Sequence, residues 1–157
     1  MLCTGGRPCF EARSMVNNRQ RKKLPRRLCE AAEQGRVGGL ARLLRLGAVP
    51  DDRCPDGGTA LYLSVVQGEV RCAELLLSAG ASPNLESHGP RDGLPLAAAA
   101  AHADTAMVKL LLAHGADPEL KEGNGTGGSA LDWARGWREP GMPHGEVVEL
   151  LERSRAV

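Results

Sequence analysis

Apolar positions recur along the chain at intervals of three or four residues, a spacing that predicts pairs of short helices. Within residues 56–89, Leu61 and Val65 lie one helical turn apart, and Leu76 and Leu77 recur at the spacing of one buried helix face. A glycine separates the two apolar patterns, so the unit is expected to hold two helices rather than one. The polar positions left for the outside of the second helix are Arg71, Glu74 and Ser78.

The same pattern returns at a regular interval. Three matched segments contain a Gly–Ala pair at the same position, and their glycines, Gly47, Gly80 and Gly115, are spaced 33 and 35 residues apart. These segments are "LARLLRLGAVPD" (40–51), "AELLLSAGASPN" (73–84) and "VKLLLAHGADPE" (108–119). A second matched segment occurs four times, as "RRLCEAAEQG" (26–35), "TALYLSVVQG" (59–68), "LPLAAAAAHA" (94–103) and "SALDWARGW" (129–137). A period in this range indicates a repeat architecture, in which stacked units complete each other's core.

Turn and capping residues predict where the helices of a unit begin and end. The Asp–Gly–Gly turn at 56–58 precedes Thr59, whose hydroxyl can accept a hydrogen bond from free backbone N–H groups. Gly80 follows the last periodic leucine, where helices commonly end in a left-handed conformation that costs other residues about 1 kcal/mol. Pro83 then favours extended chain toward the next unit.

The second unit, "DGGTALYLSVVQGEVRCAELLLSAGASPN", resembles an ankyrin repeat. The resemblance covers residues 25–157 and predicts an all-α solenoid of helix–turn–helix repeats with short extended hairpin loops. The third unit lacks the threonine cap, the first lacks the whole opening line, and the fourth lacks the final Gly–Ala–Asp. Such imperfect outer units are typical of end caps, whose outward faces meet water. The four repeats are expected at about 26–54, 56–89, 91–125 and 126–157.

The resemblance also implies a function. Ankyrin domains present their loop tips and the concave face of their first helices to a partner protein, and they do so without catalysis. The chain is therefore expected to be a monomeric adaptor or regulatory protein that needs no cofactor. The candidate partner-binding residues on these tips and on this face are Asp52, Arg53, Asp56, Gln67, Glu86, His88, His102, Lys121 and Glu122.

The formal net charge of +1 hides a division within the chain. Residues 1–27 carry eight Arg or Lys and one Glu, whereas residues 28–157 carry twelve basic and eighteen acidic side chains. Residues 1–24 are predicted to form a disordered basic arm, and three roles stay open for it: phosphate contacts with nucleic acid, contact with an acidic protein surface, or solubilisation alone. Binding through the arm would weaken steeply as salt rises. The nucleic-acid alternative uses Arg19, Arg21, Lys22, Lys23, Arg26 and Arg27.

Other residue patterns give no support for catalysis, a cofactor or a metal. The stretch "GNGTGG" (123–128) satisfies G-x-G-x-x-G, but no apolar strand precedes it, and the repeat register assigns it to a connecting loop. The four histidines are scattered, and the five cysteines form no CxxC pair, so we expect neither zinc nor a disulfide framework. Cys29 and Cys72 are predicted to be small buried residues. Trp133 is expected in the core, while Trp137 either packs on the 138–143 insertion or is exposed as an interface anchor.

The first residues show no apolar segment behind a basic start, and no window is apolar enough for a membrane span. A cytoplasmic protein is expected. Residues 1–14 have no role in any repeat, and Met15 is an alternative initiator.

Overall fold

The computed structural model describes residues 17–90, 92–136 and 144–156. Among them the helical segments are α1 (Asn18–Arg21), α2 (Leu24–Glu33), α3 (Val37–Arg45), α4 (Ala60–Val66), α5 (Val70–Ser78), α6 (Pro95–Ala101), α7 (Thr105–Ala113), α8 (Glu122–Gly125), α9 (Ala130–Gly136) and α10 (His144–Arg155). The segment α8 is a loop turn, because Gly123 and Asn124 within it have φ of 60° and 56°.

Apart from the short helix α1, the remaining helices form four pairs, α2–α3, α4–α5, α6–α7 and α9–α10, which confirms the predicted all-α repeat architecture. The first helices pack in the order α2, α4, α6 and α9, and the second helices stack as α3, α5, α7 and α10. Single antiparallel bridges join Arg53 to Thr59, Ser87 to Gly93 and Lys121 to Ser129. We call the loops 53–59, 87–93 and 121–129 hairpins 1, 2 and 3.

The core consists of small and aliphatic side chains, as the low aromatic content of 3% requires. Ala60 and Ala99 are fully buried between the first helices, and Leu76 and Leu111 are fully buried on the second helices. Small residues let neighbouring helices approach closely, so each repeat buries its apolar face only against the repeats beside it.

The capping residues of the second unit are where the sequence placed them. The Thr59 hydroxyl accepts a hydrogen bond of 3.3 Å from the Tyr62 N–H at the start of α4. Gly47, Gly80 and Gly115 follow their helices with φ of 92°, 96° and 85°. The left-handed helix ends predicted from the three Gly–Ala pairs are therefore confirmed.

Gly80→Val tests this helix end. A Cβ at Gly80 would meet no atom within 4 Å, so the substitution isolates the backbone effect from any clash. Forcing a β-branched residue to φ near 96° is expected to cost about 1–3 kcal/mol of unfolding free energy. Thermal melts of the two proteins measure the effect, and an unchanged midpoint would contradict it.

The end of the predicted arm differs from the expectation. Residues 1–16 lie outside the described residues, but Asn17 caps the short helix α1, and its side chain accepts a hydrogen bond from the Arg19 N–H. Leu24 at the start of α2 is only 5% exposed and belongs to the core. The last residues of the predicted arm thus include the helix α1 and a turn at residues 22–23, and the apolar face of α2 begins at Leu24.

The cysteines require a correction. Cys29 on α2 and Cys54 in hairpin 1 are both buried and form a disulfide, with Cα atoms 6.3 Å apart. No sequence pattern indicates this pair, because its 25-residue separation matches no cysteine motif. Packing of hairpin 1 against α2 brings the two together. Cys72 is a free buried thiol, as predicted, and burial raises its pKa.

Candidate functional site

Hydrogen bonds between successive loops hold the repeats in register. Asp51 accepts a hydrogen bond of 2.9 Å from the Ser82 N–H, and Asn84 accepts one of 2.8 Å from the Asp117 N–H one repeat later. Glu86 continues this series, since its Oε1 accepts a hydrogen bond of 2.7 Å from the Gly123 N–H. Each loop is therefore fixed by a side chain of the preceding repeat.

Glu122 in hairpin 3 joins three elements. Its Oε1 accepts a hydrogen bond of 2.9 Å from the Leu94 N–H, and its Oε2 accepts one of 2.7 Å from Nε1 of Trp133. The first contact provides a hydrogen-bond acceptor for a backbone N–H at the start of α6, where Leu94 itself has no side chain that can cap the helix. Gly93 makes this approach possible, because a Cβ there would lie 2.5 Å from Oε1 of Glu122.

An open cleft of about 390 Å³ lies between hairpin 2 and the first helices α4, α6 and α9. Tyr62 of α4 stands on one side, and its hydroxyl donates a hydrogen bond of 2.8 Å to the Asp92 carbonyl oxygen. Trp133 of α9 also lines the cleft. The other lining residues include Val66, Pro90, Asp92, Ala97, Ala98, Ala101, His102 and Glu122. We call the surface formed by this cleft, the hairpins and the first helices the inner face.

A family model described as "Ankyrin repeats (3 copies)" matches residues 28–122, which is more than half of the chain. The chain belongs to the ankyrin repeat family. Ankyrin repeats generally mediate protein–protein interactions, and the family is a non-catalytic interaction module.

The chain is also similar to part of a larger protein, "Oxysterol-binding protein-related protein 1". It is 37% identical to the Homo sapiens protein over 95 residues, which cover 57% of this chain and 10% of that protein. The Mus musculus protein is 34% identical over 87 residues, which cover 54% of this chain and 9% of that protein. The chain thus spans about a tenth of the length of these curated relatives.

The structure distributes the predicted binding residues over the ankyrin stack. His102 and Glu122 line the same cleft, and Gln67 is exposed at the C-terminus of α4, a position matched by His102 on α6. Other candidates lie on separate hairpins. Asp52, Arg53 and Asp56 are at hairpin 1, His88 is exposed in hairpin 2, and Lys121 is exposed in hairpin 3.

Several of these side chains also stabilise the ankyrin loops. Arg53 donates a hydrogen bond of 3.0 Å to the Gly57 carbonyl oxygen within its own hairpin, and Asp56 accepts one of 3.2 Å from the Gly58 N–H. Glu86 and Glu122 fix the neighbouring repeat, as described above. Because these contacts support the fold, substitution of Glu86 or Glu122 would not test binding cleanly.

Trp133 corrects the sequence analysis. It was expected in the core because the second ankyrin repeat has Leu63 at the matched position, but it is 38% exposed and lines the cleft. Its hydrogen bond to Glu122 explains the difference, since the indole N–H needs an acceptor that an apolar core lacks. The run of alanines in α6 is the sequence feature from which the cleft could have been predicted, because it leaves the floor of the cleft without large side chains. Trp137 and the 138–143 insertion lie outside the described residues.

In the fourth ankyrin repeat, Ser129 stands at the position of the Thr59 cap and forms a reciprocal cap with Asp132. The backbone N–H of Ser129 donates a hydrogen bond of 2.9 Å to Oδ2 of Asp132, and the Ser129 hydroxyl donates one of 2.8 Å to the same atom. Both bonds lower the pKa of the Asp132 carboxyl, the backbone bond most. The Asp132 N–H completes the pair with a hydrogen bond to the Ser129 hydroxyl. This reciprocal capping starts α9 and so positions Trp133.

The six cationic residues named for the nucleic-acid alternative are exposed on α1, in the turn that follows it and at the beginning of α2. Arg26 forms an ion pair of 2.8 Å with Glu30. The others named in the sequence analysis are Arg19, Arg21, Lys22, Lys23 and Arg27.

Within 17–90, 92–136 and 144–156, no three His, Cys, Asp or Glu side chains are grouped so that they could hold a metal ion. No helix in the same part of the chain has the length and apolar character needed to cross a membrane.

Proposed function

We propose that the chain is an adaptor or regulatory protein that binds a partner protein through its hairpin tips and its inner face. One observation carries the proposal: an aromatic-flanked cleft opens on the same face as the hairpin tips. Clefts with a few polar groups among apolar ones are common ligand sites, and an exposed tryptophan is a frequent anchor of protein interfaces.

The order of this surface supports the proposal. The loops are fixed between repeats by Asp51, Asn84 and Glu86, and Glu122 fixes the indole of Trp133. A surface that is already ordered loses little conformational entropy when a partner binds, so more of the contact energy contributes to affinity. We further propose that the chain acts as a monomer in the cytoplasm.

A triple substitution tests the binding surface. Arg53, Gln67 and His102 are exposed, and their change to alanine is expected to leave helicity intact and to alter stability by no more than about 0.5 kcal/mol per site. Affinity for a partner isolated from the host and then purified is expected to fall by about fivefold or more, through one or two of the positions. Calorimetry measures the affinity, and circular dichroism measures helicity and melting.

The matched control is the triple alanine change of Arg71, Glu74 and Ser78 on α5. These residues are exposed, and the ion pair between Arg71 and Glu74 is long, at 3.9 Å, so its loss has little effect on stability. We expect the control to leave binding and melting unchanged. Loss of binding in the control but not in the first variant would move the interface to the second helices and contradict the proposal.

The second candidate function is nucleic-acid association through the basic arm, which the exposure of six cationic side chains within residues 19–27 favours. Titration of the partner complex with salt separates the two. Phosphate binding through the arm would lose affinity steeply with rising ionic strength, whereas a packed inner-face complex would weaken little.

A further inference from the structure

We infer that the cleft between Tyr62 and Trp133 receives an arginine side chain from a peptide segment of the partner. The inference rests on the proposed function, because it names the chemistry that the inner face recognises. It follows from the shape of the cleft, from the exposed indole and from the charge of the lining.

The shape of the cleft comes from a local change in side-chain size. Ala98 on α6 occupies the position that Leu63 has on α4 and Trp133 has on α9, and Ala97 takes the position of Tyr62. The middle helix therefore forms a floor between two helices that carry larger side chains. The volume of about 390 Å³ lies in the lower part of the range of about 300–1,000 Å³ that is typical of ligand pockets. A long side chain with part of its backbone fits such a space.

Trp133 provides a fixed aromatic wall. Its Nε1 donates to Glu122 at 2.7 Å, and Gly128 lies against the same edge of the ring, where a Cβ would be 3.2 Å from Nε1. The indole is thus held in place while 38% of the residue is exposed. A planar guanidinium stacks on an indole face with both cation–π attraction and apolar contact, which a compact ammonium group does not match.

The charge of the described lining residues favours a cation. They include two acidic residues, Asp92, which is exposed, and Glu122, and no lysine or arginine. Neither carboxylate forms an ion pair with another residue that the structure describes. An arginine stacked on Trp133 could donate several N–H groups to these oxygens, since a carboxylate accepts more hydrogen bonds than the two that Glu122 already receives.

The experiment uses peptide libraries that differ at a single fixed position. The full chain is immobilised and incubated with degenerate peptides whose central residue is arginine, lysine or citrulline, the neutral isostere of arginine. Mass spectrometry measures the retained fraction of each library. We expect the arginine library to be retained about tenfold more than the citrulline library, and more than the lysine library.

Two variants locate the preference. Trp133→Leu removes the indole and places in α9 the residue type that the second repeat has at Leu63, so the fold can accept it. Asp92→Asn removes one exposed carboxylate but leaves the backbone oxygen that accepts from Tyr62. Both variants are expected to reduce the arginine preference by about three- to tenfold. The control, Glu149→Gln, removes an exposed carboxylate from α10 outside the cleft and is expected to leave the preference unchanged.

Equal retention of the arginine and citrulline libraries would overturn the inference, and so would an arginine preference that survives both variants. Equal retention of the lysine and arginine libraries would overturn the stacked guanidinium.

These failures differ from failure of the proposed function. Should the Arg53, Gln67 and His102 variant lose its protein partner while the libraries show no arginine preference, the inner face would bind proteins by other chemistry. Should that variant keep its partner while the arginine preference depends on Trp133, the cleft assignment would stand and the larger interface would be wrong.

Discussion

Reduction of the disulfide between Cys29 and Cys54 is expected to lower the free energy of unfolding by about 2–4 kcal/mol. The bond closes a loop across 25 residues and joins α2 to hairpin 1, which leads into the second repeat, so it restricts the unfolded chain and fixes the end of the first repeat. Chemical denaturation of the purified, oxidised protein with and without a thiol reductant measures the difference.

Cys54→Ser is the control for the disulfide. This variant is expected to have the lower stability of the reduced protein, and reductant should not change it further. Cys72 is a free thiol, so reductant does not change its contribution to the free energy of unfolding. A wild-type protein whose unfolding midpoint is the same in both conditions would contradict the bond.

Replacement of Leu76 by alanine is expected to destabilise the protein by about 2–5 kcal/mol. Leu76 is fully buried on α5, which packs against α4 and against the second helices of both neighbouring repeats. The cavity therefore opens where several helices meet. Equilibrium denaturation in urea measures the loss.

Leu46→Ala is the matched control, because it removes the same atoms from a leucine that is 42% exposed at the end of α3. We expect a change within about 0.5 kcal/mol. Equal effects of the two substitutions would show that the second helices do not bury the face assigned to them.

The repeat pattern predicted the fold because each local signal agreed with the next. Thr59 capped α4, Gly80 ended α5 in the left-handed conformation, and the periodic leucines defined the buried face. These features depend on residues close in sequence, for which spacing and propensity are informative. For the same reason, the disulfide was missed, since it depends on how a hairpin packs against a helix 25 residues away.

The candidate site was only partly predictable. Placement of His102 on the inner face followed from its match to Gln67, but Trp133 was assigned to the core by the same reasoning. The matched position holds Leu63 in one repeat and an indole with a polar edge in the other, so similar register does not imply similar burial. Glu122 was identified as a loop tip, but its contacts with Leu94 and Trp133 depend on the stacking of hairpin 3.

The construction of the cleft from several repeats has a thermodynamic consequence for the fourth repeat. Because Tyr62, the alanines of α6 and Trp133 come from three successive repeats, the cleft is complete only while the last of them is folded. End repeats of a solenoid unfold at lower cost than central ones, since they have one neighbour. Under the proposed function, occupancy of the cleft and folding of α9 would be linked equilibria: a bound segment would suppress fraying of the C-terminal repeat, and fraying would release the segment.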